Sequence, residues 1–171
     1  MDRIWPKNYP KNVPREISRN KYNSLIDLFY DTTNLFRKKI AFRNFNSSLT
    51  FGGLENHSEQ FGSYLQNQLG VKKNTRVAIM LPNLMTYPVS LFGSFFAGAT
   101  IINVNPLFKT RELLNVLIDS EAEVIIVLDK FFGELKPIIK ETKIKHIIVC
   151  NVTNLLNPLM RFIINLSLIH I

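Results

Sequence analysis

The histidines and the paired carboxylates are the residues with which this sequence could do acid–base chemistry. The histidines stand far apart, at His57, His146 and His170. Asp27 and Asp31 are four residues apart on a predicted helix, and Glu121 and Glu123 flank Ala122 in a predicted turn. General acid–base catalysis needs its groups within hydrogen-bond reach of one substrate. A solvated helix face or turn accounts for the carboxylates, so we predict structural or surface roles for all of these residues.

The motifs that hold phosphate, metal or an acyl intermediate are absent from the sequence. The seven glycines form neither a G-x-G-x-x-G nor a Walker loop, which are backbone cradles for phosphate groups. There is also no H-E-x-x-H, no C-x-x-C and no G-x-S-x-G. Cys150 ends an apolar run, and we interpret it as a small buried hydrophobe rather than a nucleophile. The sequence therefore predicts no catalytic, cofactor-binding or metal-binding residue.

One polar segment lies where a ligand could bind. Asn103-Val104-Asn105-Pro106 follows an apolar stretch that we predict to be a parallel strand, and open α/β sheets bind ligands at the carboxyl ends of their strands. Asn and Pro are also the residues that make a plain strand-to-helix turn. The turn is the favoured interpretation, and the ligand site stays open as the alternative.

Four apolar strands with helices between them are predicted to carry these residues. The strands are predicted at 76–81, 100–104, 124–128 and 146–150, and the helices at 87–98, 110–119 and 131–139, the last of them interrupted by Pro137. Thr110 is the predicted cap of its helix, with Glu112 in the first turn. Apolar strands that recur about every 25 residues with helices between them are typical of β-α-β crossovers. The predicted fold class is α/β, with a mainly parallel sheet that is covered on both faces.

The N-terminal part predicts an arm, two helices and two short strands. Residues 1–21 are rich in Pro, Lys, Arg and Asn without a period, which indicates an extended arm. The first helix has capping-box spacing from Ser24 to Asp27. Its inward stripe is predicted to be Tyr22, Leu25, Ile26, Phe29 and Phe36. Short strands are predicted at 41–45 and 49–51. The second helix is predicted to end at Gly70, a left-handed C-cap.

The chain is strongly basic, with a net charge of +8. Its basic residues are scattered and are not interleaved with aromatic residues, so we predict no nucleic-acid partner. Codon bias toward Lys, Asn and Ile explains the charge, and attraction to an anionic membrane is the alternative. Residues 77–108 carry no charge and are long enough to cross a bilayer, but their prolines and asparagines favour a buried strand–helix–strand unit. No signal peptide is expected at the N-terminus.

Several short segments follow one another in a family-specific order. Leu49-Thr50-Phe51-Gly52-Gly53-Leu54 is similar to the motif L-T-[FY]-x-x-L. Lys73-Asn74-Thr75-Arg76-Val77-Ala78 is similar to K-G-D-R-V-A, with Asn-Thr where Gly-Asp is usual. The motif V-N-P-L-[YF]-x-x-R-E-L is matched by Asn103-Val104-Asn105-Pro106-Leu107-Phe108 and Thr110-Arg111-Glu112-Leu113. With Trp5, Tyr9-Pro10 and Val13-Pro14, this series resembles the adenylate-forming superfamily, and within it the bacterial long-chain fatty acid–CoA ligases, over residues 1–165.

The resemblance implies an enzyme that joins a fatty acid to ATP, releases pyrophosphate, and passes the acyl group of the acyl-adenylate to CoA. Mg²⁺ assists the first step by screening phosphate charge. The family's phosphate loop, ribose-binding aspartate, hinge and C-terminal lysine have no counterparts in residues 1–171, so no residue role is carried over. ATP, CoA and Mg²⁺ are therefore expected only of a full-length enzyme. Residues 22–165 are expected to be a partial N-terminal domain that is inactive and poorly soluble by itself.

The resemblance also implies a cytoplasmic enzyme with a fatty acid as its substrate, and it leaves open a peripheral contact with the inner face of the cell membrane and a homodimer. Residues 155–166 are predicted to form an amphipathic helix with Arg161 on its polar side. Residues 166–171 match the translation of a transposase sequencing adapter. We expect them to be adapter-derived, with a natural apolar tail as the alternative. A stand-alone α/β binding module and a membrane-associated structural protein are the competing functional classes.

Overall fold

Two helices and a two-stranded hairpin open the structure, a computed structural model that describes residues 8–14, 16, 21–161 and 164. These elements are α1 (Leu25–Phe36), β1 (Ile40–Asn44), β2 (Ser47–Thr50) and α2 (Phe51–Asn67). The strands β1 and β2 pair antiparallel. The turn residues Phe45 and Asn46 have φ of 45° and 55°. Positive φ at both turn residues is the geometry that joins two twisted strands in a tight hairpin.

Helix α1 begins after Ser24, as the sequence predicts. The Asp27 N–H donates to the Ser24 Oγ at 3.0 Å. A complete capping box would also have the Asp27 carboxylate accept the N–H of Ser24, but this carboxylate accepts the N–H of Asn23 instead, at 3.1 Å. Phe29 is buried, whereas Leu25, predicted on the same inward stripe, is 59% exposed. The stripe prediction is wrong at Leu25 because this residue lies in the first turn, ahead of the first buried residue of the helix.

Strand β2 runs directly into α2. The Gly53 N–H donates to the Thr50 Oγ1 at 3.0 Å, and this cap makes Phe51 the first helical residue. Our strand prediction ends one residue too late because the cap turns the chain into the helix at Thr50. Helix α2 ends at Asn67, and Gly70 follows it with the predicted left-handed φ, 66°.

A four-stranded parallel sheet confirms the predicted strands. The strands are β3 (Arg76–Met80), β4 (Thr100–Asn103), β5 (Val124–Leu128) and β6 (His146–Cys150). Their order across the sheet is β4-β3-β5-β6, and every neighbouring pair is parallel. Strand β5 is buried along its whole length, because it lies between two strands and under helices on both faces. Burial on both faces explains why its residues form an apolar run without alternation.

Helices cover both faces of the sheet, which confirms the predicted α/β class. They are α3 (Thr86–Phe96), α4 (Thr110–Ser120) and the short α5 (Phe132–Leu135). On one face, Val77 and Ile126 pack in a cluster with Leu65 of α2. On the other face, Ile125 packs in a cluster with Leu113 of α4. Alternate strand residues point to opposite faces, so neighbouring residues of one strand enter two separate cores.

The uncharged stretch 77–108 forms β3, α3 and β4 rather than one long helix. This confirms the predicted buried strand–helix–strand unit. Helix α3 has only 11 residues, whereas a bilayer-spanning helix needs about 20. Nowhere in the part of the chain that the structure describes does a helix combine the length and apolarity that a membrane span requires.

Helix α4 begins at Thr110, but its cap differs from the predicted one. Lys109 occupies the N-cap position, and its N–H donates to the Glu112 carboxylate at 3.0 Å. The Thr110 hydroxyl instead donates to Glu134 Oε2 at 2.6 Å. The prediction of Thr110 as cap is wrong because Glu134, 24 residues away in the sequence, takes the hydroxyl group, and local spacing cannot show such a partner.

The helix predicted at 131–139 is broken into three short pieces. A 3-10 turn at Asp129–Phe131 precedes α5, and a second 3-10 turn follows at Ile139–Glu141. Pro137 lies between them, and proline has no N–H with which to continue a helix. The predicted interruption at Pro137 is confirmed, but the predicted helix is longer than the observed α5.

The two ends of the chain carry predictions that the structure covers only in part. Residues 158–161 are helical, within the amphipathic helix predicted at 155–166. Of the arm predicted at 1–21, the structure describes residues 8–14, 16 and 21. The adapter prediction for 166–171 lies outside the described residues.

Candidate functional site

The carboxyl ends of the parallel strands form the edge at which the sequence leaves a ligand site open. Asn103 is the last residue of β4, Asp129 directly follows β5, and Asn151 directly follows β6. Tyr87, near the start of α3, donates its hydroxyl to Asn103 Oδ1 at 3.1 Å. Parallel pairing brings the ends of these strands to one side of the sheet, where ligands of open α/β folds bind.

The segment after β4 is built as a turn. The Val104 N–H donates to the Ile79 carbonyl at 3.0 Å, which extends the pairing of β3 and β4 by one bond. The Asn105 Oδ1 accepts the N–H of Leu107 at 3.0 Å, and the Asn105 carbonyl accepts the N–H of Phe108 at 3.1 Å. An asparagine that binds its own backbone two residues on is an Asx turn. The favoured turn interpretation therefore accounts for Asn105, and no ligand is needed to explain it.

Asp129 and Asn151 are polar residues of this edge that the sequence reasoning missed. The Asn151 Nδ2 donates to Asp129 Oδ2 at 2.8 Å, and the Lys130 N–H donates to Asp129 Oδ1 at 2.7 Å. The available signal was position, because each residue stands immediately after an apolar strand. Their contacts join the ends of two neighbouring strands, so they hold the edge together.

Cys150 is the last residue of β6, directly before Asn151 at this edge, and its surroundings make it unreactive. Its side chain is 9% exposed and contributes to a cavity of about 380 Å³ that also contacts Thr86 and Ser90. Burial, and to a lesser degree the charge of Asp129, raises the pKa of the Cys150 thiol to about 11. The thiolate is the nucleophilic form of cysteine, so at neutral pH this thiol stays protonated. The prediction that Cys150 is a buried hydrophobe is confirmed.

The structure does not bring together the two histidines that it describes, His57 and His146. His57 is an exposed residue in the middle of α2, and it lines the cavity beside Cys150. His146 opens β6 at the other end of the strand, near the amino edge of the sheet. His170 lies outside the described residues.

The paired carboxylates are engaged with cations or with backbone rather than with each other. At the amino edge of the sheet, Glu121 accepts from Arg76 at 2.5 Å and also from Lys143, and Glu123 accepts from Lys145 at 2.6 Å. Hydrogen bonds from Lys143 and then Arg76 hold the pKa of Glu121 below its usual range. Exposed ion pairs of this kind contribute little stability individually, and a carboxylate whose pKa is lowered is a poor general base at neutral pH.

A family model decides which group of proteins this chain belongs to. The model described as AMP-binding enzyme matches residues 29–160, from the middle of α1 to the helical segment after β6. The chain belongs to the AMP-binding enzyme family. The resemblance drawn from the ordered motifs is thereby confirmed.

One curated relative of this chain is the long-chain-fatty-acid–CoA ligase of Salmonella typhimurium. The two sequences are 39% identical over 165 residues, which is 96% of this chain and 29% of the relative. The chain therefore spans about 29% of the length of that relative.

Solved structures of CoA ligases share the fold. A long-chain-fatty-acid-CoA ligase from Archaeoglobus fulgidus superposes with a TM-score of 0.68 at 26% identity, over 74% of this chain and 27% of that one. A benzoate CoA ligase from Burkholderia xenovorans LB400 gives a TM-score of 0.67 at 22% identity, over 81% of this chain and 27% of that one. The same parallel sheet with helices on both faces therefore occurs within these larger CoA ligases.

The residues that the structure describes form no cluster suited to a metal ion. Within residues 8–14, 16, 21–161 and 164, no three His, Cys, Asp or Glu side chains are grouped so that they could hold a metal. Mg²⁺ at nucleotide sites is held by one or two carboxylates together with phosphates. The Asp129 carboxylate already accepts two hydrogen bonds that close the sheet edge. No catalytic step is therefore assigned to these residues.

Proposed function

We propose that the complete protein is an ATP-dependent long-chain fatty acid–CoA ligase and that this chain supplies part of its N-terminal scaffold. The observation that carries the proposal is the 39% identity over 165 residues to a relative named long-chain-fatty-acid–CoA ligase. The proposed reaction joins a fatty acid to ATP with release of pyrophosphate, and the CoA thiol then displaces AMP from the acyl-adenylate. Acyl transfer through an activated intermediate divides one difficult step into two easier ones.

The proposed role of this chain within the enzyme is positional. Strand β5 is buried along its whole length, and Leu113 and Leu117 of α4 are fully buried against the sheet. A rigid sheet of this kind holds its carboxyl edge in place, and precise positioning is a large part of catalysis. Residues 22–165 are the proposed portion of the N-terminal domain, with residues 1–21 as a preceding arm. Residues 166–171 are proposed to lie outside it.

The proposed substrate is a long-chain fatty acid, and the proposed cofactors are ATP, CoA and Mg²⁺, all of which bind outside the residues described here. The proposed location is the cytoplasm, with a peripheral contact at the inner face of the cell membrane. Support for the membrane contact comes from the net charge of +8, since anionic leaflets attract basic proteins. A homodimer is a further proposal, which rests on the resemblance to the ligase family.

The test is an assay of the complete protein and of residues 1–171 with palmitate, ATP and CoA. The complete protein is expected to form palmitoyl-CoA, AMP and pyrophosphate in equal amounts, and to be much slower with benzoate. The 171-residue chain is expected to form none of them, because positioning and charge stabilisation need groups that it lacks. Pyrophosphate release by the short chain, or no palmitoyl-CoA from the complete protein, would contradict the proposal.

A further inference from the structure

Strand β6 is one of the two outer strands of the parallel sheet. It pairs with β5 over five residues, from His146 opposite Val124 to Cys150 opposite Leu128, without a shift in register. On its other side, no described strand pairs with it. An outer strand presents a row of backbone N–H and C=O groups that lack strand partners. The side of β6 that faces away from β5 is therefore able to accept a further strand.

Strand β6 lacks the features that protect natural sheet edges. Such edges are very short, or they carry a lysine, a proline or a bulge. The sequence of β6 is HIIVC, and the strand is as long as the central β5. It contains no lysine or proline, its register shows no bulge, and the apolar Val149 is 52% exposed. The sequence of β6 is thus that of an inner strand.

Strand β4, the other outer strand, has the features of a natural edge. It is only four residues long, and its end residues, Thr100 and Asn103, are polar and exposed. The N–H groups of Thr100 and Val104 donate to carbonyls in and next to β3, at 2.9 and 3.0 Å. Because alternate residues of a parallel strand face the same neighbour, the N–H groups of Ile101 and Asn103 point away from β3. The two outer strands therefore differ in kind.

Helices α2 and α3 enclose a space beside β6, which we call the β6 trough. It has a volume of about 380 Å³ and is lined by Ile148, Val149 and Cys150 together with Phe61 of α2 and Thr86 of α3. Successive strand residues point to opposite faces, so a cavity that contacts all three β6 residues adjoins the strand edge rather than one face. Neighbouring strands lie about 4.8 Å apart, so a strand paired with β6 would run along this trough.

The β6 trough also contains a polar group that lacks a partner. Thr86 is 7% exposed, and its Oγ1 has no hydrogen-bond partner among the described residues. A buried hydroxyl without a partner costs stability. A strand in the trough would bring backbone N–H and C=O groups close to this hydroxyl.

We propose that β6 is an inner strand of the complete protein, where an apolar extended segment from beyond residue 171 pairs with its outer edge, and that β4 remains an outer strand. The chain spans about 29% of the length of its curated relative, so a protein of that length has ample chain to supply the segment. A second copy is a poorer occupant, because its own α2 and α3 would compete for the space beside β6. The inference rests on the proposal that this chain is part of a longer protein, and not on the activity of that protein.

The test is residue-resolved hydrogen exchange of the complete protein, with each amide compared to its intrinsic rate. Every amide of β6 is expected to exchange about as slowly as those of β5, because a strand on each side binds them all. On β4, Ile101 and Asn103 are expected to exchange at least about tenfold faster than Ile102, whose N–H faces β3. The two outer strands are thus compared within one molecule, and no variant has to fold.

A second measurement uses the melting temperature of variants of the complete protein. Val149→Lys should lower it by several degrees, because the added strand would bury the new charge, and Val149→Thr should lower it less. The matched control is Thr100→Lys, which puts the same charge at an exposed position of β4 and should leave the melting temperature unchanged. Equal melting temperatures for Val149→Lys and Thr100→Lys would refute the pairing.

Two exchange results would also overturn the proposal. One is fast exchange of alternate amides in β6, which would leave this strand at the edge of the sheet. The other is slow exchange in β6 that becomes fast when the protein is diluted, which would assign the edge to a second copy. Palmitoyl-CoA formation by the same sample separates this inference from the ligase proposal. Slow exchange throughout β6 without ligase activity would support the pairing and refute the ligase alone.

Discussion

Gly62 of α2 and Gly93 of α3 meet backbone to backbone. A methyl group on Gly62 would stand 2.9 Å from the Gly93 carbonyl oxygen, and one on Gly93 would stand 2.9 Å from the Ser58 carbonyl oxygen. Real Cβ atoms do not approach oxygen so closely, so neither position has room for a side chain. The two helices, which cover one face of the sheet, can therefore pack this closely only because neither facing position carries a side chain.

The first prediction is that Gly93→Ala destabilises the protein. The methyl group would collide with backbone, which cannot rotate away, and overpacking of this kind costs about 1–3 kcal/mol. The measurement is the melting temperature of the complete protein. Gly133→Ala is the control, because nothing lies within 4 Å of the position of its Cβ, and it should leave the melting temperature unchanged or slightly raised. Equal melting temperatures for Gly93→Ala and the wild type would refute the close packing.

The sheet could be predicted from the sequence because its signal is local. The runs at β3 and β5, RVAIM and VIIVL, are apolar without alternation, and burial on both faces is the physical reason. The close approach of Gly62 and Gly93 could not be predicted, because a glycine in a helix looks the same whether it faces solvent or another backbone. The order of the strands across the sheet could not be predicted either, because the chain does not follow it: β3 lies between β4 and β5, and β5 joins β3 to β6.

The second prediction concerns the pair of Arg37 and Glu55. Glu55 is 8% exposed, and both of its oxygens accept from Arg37 Nη1, at 3.0 and 3.1 Å. Replacing Arg37 with methionine leaves this buried carboxylate without its cation. We expect Arg37→Met to cost about 1–2 kcal/mol at pH 7, less than for a fully buried pair because Arg37 itself is half exposed. Lys136→Met, at an exposed lysine, should have no such effect.

The effect of Arg37→Met should depend on pH. Burial works to raise the pKa of Glu55, but hydrogen bonding by Thr33 and Arg37 outweighs it and holds the pKa below the ordinary 4.5. A carboxyl group whose pKa is lowered by folding contributes stability above its unfolded pKa, and that contribution is lost as the pH falls through the folded pKa. The melting-temperature difference between Arg37→Met and the wild type should therefore shrink below pH 4.5. A difference that is constant from neutral to acid pH would contradict the role of the charge.

The third prediction is that Glu134→Ala loosens the start of α4. Glu134 Oε2 accepts both the N–H and the hydroxyl of Thr110, at 2.9 and 2.6 Å, and a helix start has N–H groups without partners of their own. We expect faster hydrogen exchange of the Thr110 amide and a lower melting temperature. Glu141→Ala, an exposed glutamate in the last 3-10 turn, should change neither. Unchanged exchange at Thr110 would show that this carboxylate does not stabilise the helix start.

The carboxyl edge illustrates what the sequence could and could not say about a site. The sequence predicts a turn at Asn105 because asparagine and proline surround it. The structure confirms the turn, in which the Asn105 side chain accepts the N–H of Leu107. Asp129 and Asn151 were missed because each is a single polar residue after a strand, and they meet only when β5 and β6 pair. Contacts between distant residues follow from the sheet order, which the motif pattern alone does not contain.

The last prediction is that residues 1–171 aggregate when produced without a solubility tag. Unpaired strand edges recruit other chains, and β4 and β6 are the two edges of the sheet. From the sequence alone, the isoleucines of β4, β5 and β6 are expected to contribute, together with Phe95 and Phe96. The structure corrects this for Ile125 and Ile126, which are fully buried because β5 is central.

Strand β6 is the place to test this prediction, because Val149 on it is 52% exposed. Val149→Lys should raise the soluble fraction of residues 1–171, since a charge on an edge strand opposes pairing with another chain. Ile118→Lys is the matched control: Ile118 has the same 52% exposure but lies on α4, so it should help less. Soluble fraction and size-exclusion profile are the measurements. A soluble wild-type monomer that unfolds in one cooperative transition would refute the prediction and favour a stand-alone binding module.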